Sequence, residues 1–490
     1  MGTVLDRHAA QRCGEAGASG GDGVAGQVEG VTLPPSYAAF LASKAPRARM
    51  TGIEPGPMPA HLFDFQAEVA RFMLRAGRAA GFLDTGLGKG RTALECLRQA
   101  GEATNGTTLH MVPLAVARQI EAEGRSLGYD IRVIRSQDDA RPGINVCNYD
   151  RLDGLDLSAY GAISLDESHI LASLTGATAR HLIENAQGVR FRFCWSATPA
   201  PNDHAELGAH AEFLGIMRSI EMLSRWFIND TATASQEWRL KGHAVDAFWD
   251  WVASWARCAQ SPEDLGFDGS RFILPPLEIL RHKVEAEGAR ADGTLFGADL
   301  SATTMHAKKR QTAEARARIV ADLVDAEPHE PWLLWCDSDA EADALMAAVT
   351  GAVEVRGSHA TERKETTIAD FVEGRKRYLI AKPSACGYGL NLQHCARVAF
   401  IGRSFSYRAW YQAVRRCWRF GQMRNVNVHL IVAEGEDQIG RVIDRKADGH
   451  AEMKRAMSAS MVRARETAAE TKVPYVPTHK TELPQWLLAA

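Results

Sequence analysis

The chain has 490 residues, 46% of them hydrophobic, which is enough for two or three cores and excludes a chain too polar to fold. A formal net charge of −3 excludes a polycation that coats nucleic acid indiscriminately, so any nucleic-acid site must be local. There is no run of 18 apolar residues, the start MGTVLDRHAA has no apolar h-region, and Asp6 spoils a myristoylation pattern, so a soluble, cytoplasmic protein with no membrane partner is expected.

Residues 1–57 read as a flexible leader, because the stretch from Gly14 to Gly30 is glycine-rich and has almost nothing to bury. From "LFDFQAEVARFMLRAGRAA" onward apolar residues recur at helical spacing, and short apolar runs then alternate with helical stretches: "GFLDT", "TLHMVPL", "IRVI", "INVCNY", "AISLDE" and "RFCWSAT" as strands. Strands alternating with helices predict a parallel sheet covered on both faces, giving a first α/β lobe over 58–215. Residues 216–328 read as a mainly helical insertion in which Trp226, Trp238, Trp249, Trp251 and Trp255 pack a helix face in preference to stacking bases. The alternation restarts at "PWLLWCDS" and runs through "RYLIAKP", "RVAFIG" and "VNVHLIVA", a second α/β lobe over 329–440. A charged helical tail, 441–490, is expected to pack on that second lobe or fray from it. The nine cysteines form no C-x-x-C pair and read as buried thiols.

A Gly-rich turn that opens a helix suits phosphate, because it offers backbone N–H donors, a positive dipole end and no side chains in the way. "LDTGLGKGR" provides such a turn in Thr85, Gly86, Leu87, Gly88, Lys89, Gly90 and Arg91. It departs from the full pattern twice, with Leu83 where the first glycine belongs and Gly90 where Ser or Thr normally offers Mg²⁺ a hydroxyl. Thr92 is no substitute, since two residues along a helix is a rotation of about 200°. "AISLDESHIL" adds Asp166 and Glu167 at the end of an apolar strand, where one acid can hold Mg²⁺ through water and the other orient an attacking water.

These residues carry a family resemblance. "DESH" at 166–169 resembles the DEAH-type box of superfamily-2 helicases, "SATP" at 196–199 their third motif, and "LFDFQ" their adenine-recognising glutamine, here Gln66. "YQAVRRCWRFGQ" resembles the sixth motif of the Snf-type, chromatin-remodeller-like translocases, with Gln412, Arg416, Arg419, Gly421 and Gln422 in register; "GYGLNLQHC" at 387–395 is similar to that branch's fifth motif and includes Gly389. The G-K-G-R loop is similar to that of strawberry-notch-type helicases, and the long middle segment and compact lobes look most like prophage-encoded members.

The resemblance spans about residues 60–440 and implies two tandem RecA-like lobes with Mg-ATP between them. It assigns catalysis to Lys89, Asp166, Glu167, Arg416 and Arg419, nucleotide contacts also to Gln66, residues 85–91, His169, Gly389 and Gln412, and coupling of lobe movement to Ser196 and Thr198. On a continuous helix Arg416 and Arg419 share a face and Arg415 points elsewhere. Residues 353–424 hold fourteen Lys and Arg against five Asp and Glu, an excess suited to tracking phosphates, and the family's backbone contacts extend to the Pro113 segment and to Asn148 and Tyr149. The expectation is an ATP-dependent translocase on double-stranded DNA, with a replication, recombination or nuclease protein as a possible partner. A strand-separating helicase on DNA or RNA, and a nucleotide-gated binding module impaired by Gly90, stand as alternatives.

Overall fold

The computed structural model describes residues 46–113, 116–172, 176–230, 237–284, 302–383, 390–433 and 436–470. The glycine-rich part of the leader, Cys13, Cys386, Gly387, Gly389 and the last twenty residues lie outside them. In chain order the first lobe has α1 (Asp64–Ala76), β1 (Arg78–Leu83), α2 (Lys89–Glu102), β2 (Thr107–Val112), α3 (Ala117–Ser126), β3 (Ile131–Val133), β4 (Gly143–Asn148), β5 (Ala162–Leu165), α4 (Ala177–Asn185), β6 (Phe191–Trp195) and α5 (Leu207–Leu214). The middle segment has α6 (Ser219–Trp226), β7 (Phe227–Asp230), β8 (Glu237–Leu240), α7 (Val245–Trp255), β9 (Ala256–Ala259), β10 (Leu277–Val284) and α8 (Ala302–Ala326). The second lobe follows with β11 (Trp332–Trp335), α9 (Asp339–Ala348), β12 (Val353–Val355), α10 (Thr361–Val372), β13 (Tyr378–Ala381), β14 (Arg397–Phe400), α11 (Tyr407–Val414), β15 (Val426–Ala433) and the long α12 (Asp437–Glu470).

Both lobes are parallel α/β sheets, ordered β3-β4-β2-β5-β6-β1-β9 and β10-β15-β14-β11-β13-β12. The central strands are buried on both faces, which is why "FRFCW" and "WLLW" read as unbroken apolar runs without alternation. Because β5, β6 and β1 are neighbours, the segments leaving their C-terminal ends converge on one edge of the first sheet. That edge is where open α/β sheets bind ligands.

The middle segment is shared between the lobes and contributes strands as well as helices. β9 pairs with β1, Leu83 opposite Ala259, and Asp84 N–H continues the ladder to Ala259 O at 2.9 Å; β10 pairs with β15 at the edge of the second sheet. Trp226, Trp249, Trp251 and Trp255 are buried in the first lobe's core, as packed helix faces.

Two expectations about the chain's ends change. The flexible leader ends before residue 57: Thr51, Gly52 and Ile53 donate backbone hydrogen bonds to Ala76, Arg75 and Leu74, docking this stretch on the last turn of α1. The approach needs glycine, since a Cβ on Gly52 would lie 1.8 Å from Leu74 O. The tail helix α12 leaves the second lobe, where Ile439 and Ile443 cluster with Tyr407, and crosses to the first, where Met453, Met457 and Met461 enter the core. The spacing of four makes these methionines one ridge, which a reading of the tail's charged face alone misses.

Four buried histidines give the fold an acid limit. Burial pushes His110, His210 and His429 down to about 4 and His450 to about 3. They are neutral when folded, whereas the unfolded chain protonates them below about 6.5, so the stability they contribute is complete above that pH and is lost as pH falls toward 4. Each costs roughly 1 kcal/mol per pH unit in that window. The melting temperature should therefore drop steeply from pH 6.5 to 4.5 in thermal denaturation, and His110→Gln should make the slope shallower even if it melts lower at pH 7.5. An unchanged slope in that variant would exclude His110 as one of the groups responsible.

Candidate active site

The loop after β1 takes its shape from two glycines. Gly86 (φ 94°) and Gly88 (φ 79°) lie in the left-handed region, and Gly88 is the N-cap of α2. A side chain on either would collide: a Cβ on Gly86 would meet Phe420 N at 3.0 Å and one on Gly88 would meet Gln66 Nε2 at 2.2 Å. Lys89 curls back so that Nζ donates to Leu83 O (3.0 Å) and Asp84 O (3.3 Å), leaving one ammonium hydrogen for a ligand. Burial pulls its pKa down against the opposing charges of Glu167, Asp166 and Asp84. Gln66 braces the loop, donating from Nε2 to Leu87 O (3.0 Å) and accepting from Phe63 N at 3.1 Å.

The two acids leave β5 side by side. Glu167 is the one non-glycine residue with positive φ (48°) among those described, a conformation costing on the order of 1 kcal/mol. His169 Nδ1 lies 3.2 Å from Glu167 Oε2. Burial opposes a charge on Glu167, but His169, Lys89 and Arg416 outweigh it and hold the carboxyl below the usual range. Burial and the neighbouring Glu167 push Asp166 the other way, above the usual carboxylate range. A cation placed between the two carboxyls would relieve the repulsion that disfavours the charge on Asp166. Tyr149, expected near a nucleic-acid backbone, instead donates from its hydroxyl to Asp166 O at 2.6 Å and supports the acids.

The second lobe brings in three arginines where two were anticipated. α11 ends at Val414 and the chain tightens into turns, with Arg416 N and Cys417 N bonding three residues back to Ala413 O and Val414 O. Helical spacing therefore no longer governs where these side chains point. Arg415, expected to face elsewhere, reaches into the first lobe and donates from Nη2 to Thr85 O at 2.8 Å, 3.1 Å from Asp84 Oδ2. Arg416 is oriented by Gln412, Nη2 to Oε1 at 2.5 Å, and both Arg416 and Arg419 donate to Leu390 O, at 3.2 and 3.3 Å. Burial lowers the pKa of Arg416, opposed by Glu167 and Asp166; Arg419 is pushed down to about 10 by burial and then by Arg416 and Arg415. The Nε atoms of Arg415 and Arg419 are buried and have no hydrogen-bond partner among the described residues. Crowded guanidiniums with unused donors opposite a lysine and two acids fit an anionic ligand carrying a cation.

The remaining expected residues lie around this cluster with mixed engagement. Ser196 and Thr198 are fully buried just beyond β6, Ser196 Oγ accepting from Thr198 N at 3.1 Å. Arg91 turns away to Glu123, at 2.6 Å. Gly389 lies outside the described residues. Part of the basic excess of residues 353–424 is engaged: Arg356, Arg375, Lys382, Arg397 and Arg424 pair with acids, while Arg415, Arg416 and Arg419 line the cleft. Asp84, Tyr411 and Lys454 also meet here and were not anticipated. Lys454 Nζ lies 3.6 Å from Asp84 Oδ1, to which the Tyr411 hydroxyl also donates. Burial resists the charge on Asp84, but Lys454 and Arg415 hold its carboxyl well below the usual range. An acid at a strand end, "LDTG", was the only signal in the sequence.

Gly90 opens onto space. A Cβ there would meet nothing within 4 Å, so a side chain can leave the backbone at this position without an immediate clash. Among the described residues no group of three or more His, Cys, Asp or Glu could hold a metal by itself. If the loop takes Mg-ATP, as proposed below, Gly90→Thr should lower the Mg²⁺ concentration needed for half-maximal ATP turnover, by about threefold to tenfold where one added ligand contributes roughly 1 kcal/mol. A magnesium titration of both proteins checks this, and an unchanged or raised requirement would show that the missing hydroxyl does not limit the metal.

Among the described residues no helix is long and apolar enough to cross a membrane. A comparison with curated protein sequences finds no match. Among solved structures the chain is similar to the SWI2/SNF2 ATPase core of Sulfolobus solfataricus in complex with dsDNA, at 16% identity and a TM-score of 0.40, over 85% of this chain and 97% of that one. Residues 315–421, from within α8 to the glycine that follows the arginine cluster, match the family described as the helicase conserved C-terminal domain.

Proposed function

We propose that the protein is a nucleic-acid-dependent ATPase that uses the cleft between its lobes to move along duplex DNA. The observation that carries the reading is the convergence of Lys89, Asp166 and Glu167 from one lobe with Arg415, Arg416 and Arg419 from the other, Arg415 and Arg419 having a buried donor to spare. The helicase C-terminal match covers the arginine-bearing lobe and supports the same assignment.

When bound, Mg-ATP supplies the phosphoryl group and the metal charge that neutralises it. The chain's own residues then have separable tasks. The N-terminus of α2 and Lys89 would hold phosphate oxygens, and Asp166 would hold the metal. Glu167, kept charged by its surroundings, orients a water and accepts its proton. Arg416 and Arg419 stabilise charge on the transferred group when the lobes are closed, and Ser196 and Thr198, next to β1, relay closure to the first lobe. Gln66 serves the base side while bracing the loop. The nucleic acid is proposed to be gripped through its phosphates, without regard to base sequence.

The test is an ATP hydrolysis panel with duplex DNA, single-stranded DNA and RNA, combined with triplex displacement and duplex unwinding. Stimulation by duplex and displacement without unwinding are expected. Unwinding would favour the strand-separating helicase, and ATP binding without turnover would favour the gated binding module.

A further inference from the structure

α12 belongs to none of the sequence motifs, yet it touches two of them, the phosphate-loop stretch and the arginine-bearing segment. It begins against the second lobe, where Ile439 and Ile443 cluster with Tyr407, and ends against the first, where the amide of Cys258 on β9 donates to Met461 Sδ at 3.3 Å and Arg463 Nη2 lies 2.8 Å from Asp250 Oδ1 on α7. Between these anchors His450 and Lys454, one turn apart, face the cleft. The His450 ring lies 5.6 and 5.8 Å from those of Tyr407 and Tyr411, and Lys454 Nζ sits 5.6 Å from the centre of the Tyr411 ring and 3.6 Å from Asp84.

Asp84 is where these contacts meet the phosphate loop. Its carboxylate accepts from Thr85 N at 2.7 Å and from the Tyr411 hydroxyl, and it is flanked by Arg415 and Lys454. Arg415 takes the other side of the same residue through Thr85 O. The first residue of the loop is thus fixed at both its N–H and its C=O by groups that answer to the second lobe and to α12. Asp84, Arg415 and Lys454 are all buried, so the arrangement is sheltered from solvent screening.

We propose that Asp84 is a positioning residue for the phosphate loop and that Lys454 of α12, acting through Asp84 together with Arg415, keeps the loop in the form that turns over ATP. The C-terminal helix is then an internal part of the motor: movement of either lobe that shifts α12 is felt at Thr85 and at the glycine turn beyond it. The inference rests on the ATPase reading for its effect on turnover, but the loop contact itself does not.

The experiment uses the full chain with Lys454→Met, Lys454→Arg, Asp84→Asn and the double variant Asp84→Asn/Lys454→Met. Lys454→Met keeps the aliphatic stem and should lower kcat for ATP at least tenfold while KM changes less than about threefold. Lys454→Arg should recover most of that loss. The double variant should be no slower than the slower single one, because both remove the same pair. Wild-type kcat in Lys454→Met overturns the proposal, as do multiplicative losses in the double variant or an equal fall in Lys454→Arg. If the wild-type protein neither binds nor hydrolyses ATP, the functional reading fails separately. Hydrogen exchange without nucleotide then decides the loop contact: Lys454→Met should speed exchange at residues 85–88, and unchanged protection there overturns it.

Discussion

Lys89→Ala is expected to reduce ATP turnover to background, a loss of at least about 10²- to 10³-fold, the scale of removing one preorganised donor from a developing charge. The lysine is held by the carbonyls of Leu83 and Asp84, so its ammonium is aimed before any ligand arrives, and its charge is supported by three acids around it. Alanine removes the charge and leaves Asp166, Glu167 and Asp84 facing each other with one fewer cation. A collapsed fold must be distinguished from a dead site. Lys89→Met preserves the stem and should lose turnover to the same extent with an unchanged melting temperature. ATP turnover in either variant at the wild-type rate would exclude Lys89 from the site, and with it the reading of the loop.

How much of this was legible in the sequence depends on distance along the chain. The two parallel lobes were, because strands buried on both faces must be apolar throughout and their crossovers must be helices. The loop glycines were as well: Gly86 and Gly88 adopt backbone angles that other residues avoid, and Lys89 follows at the helix start. The third arginine was not, because helical periodicity was extended past Val414, where the chain has already left the α-helix. Nor was the Asp84 pair visible. Tyr411 lies 327 positions from the acid it bonds, and Lys454 sits in a tail whose charged residues look alike until α12 is seen to cross between lobes. Tyr149 illustrates the opposite error, a strand-end residue assigned outward to a ligand when its hydroxyl was needed inward by a backbone carbonyl. For the basic excess of residues 353–424, composition records charges but not the acids that already partner some of them.

Arg416→Ala should leave ATP binding within a few-fold of wild type and reduce nucleic-acid-stimulated hydrolysis by roughly 10³-fold or more, the lower end of the range for an arginine finger. The first lobe alone presents the phosphate loop, Lys89 and the acids, so binding survives. Arg416 comes from the second lobe, so on the proposed reading its contribution is made when the lobes close on the transition state. Its guanidinium is buried, positioned by Gln412 Oε1 and O and by Leu390 O, and close enough to Asp166 and Glu167 to perturb both. Lysine cannot reproduce that fork of donors, so Arg416→Lys should recover little. Gln412→Ala keeps the charge but frees the side chain that aims it, and an intermediate loss of about tenfold to a hundredfold is expected. Equilibrium binding of a fluorescent ATP analogue and single-turnover hydrolysis, measured on the same samples, separate the two effects. If Arg416→Ala lost binding while hydrolysing each bound nucleotide at the normal rate, the arginine would be holding the ground state or the fold, and the second lobe's role in catalysis would have to be reassigned to Arg415 or Arg419.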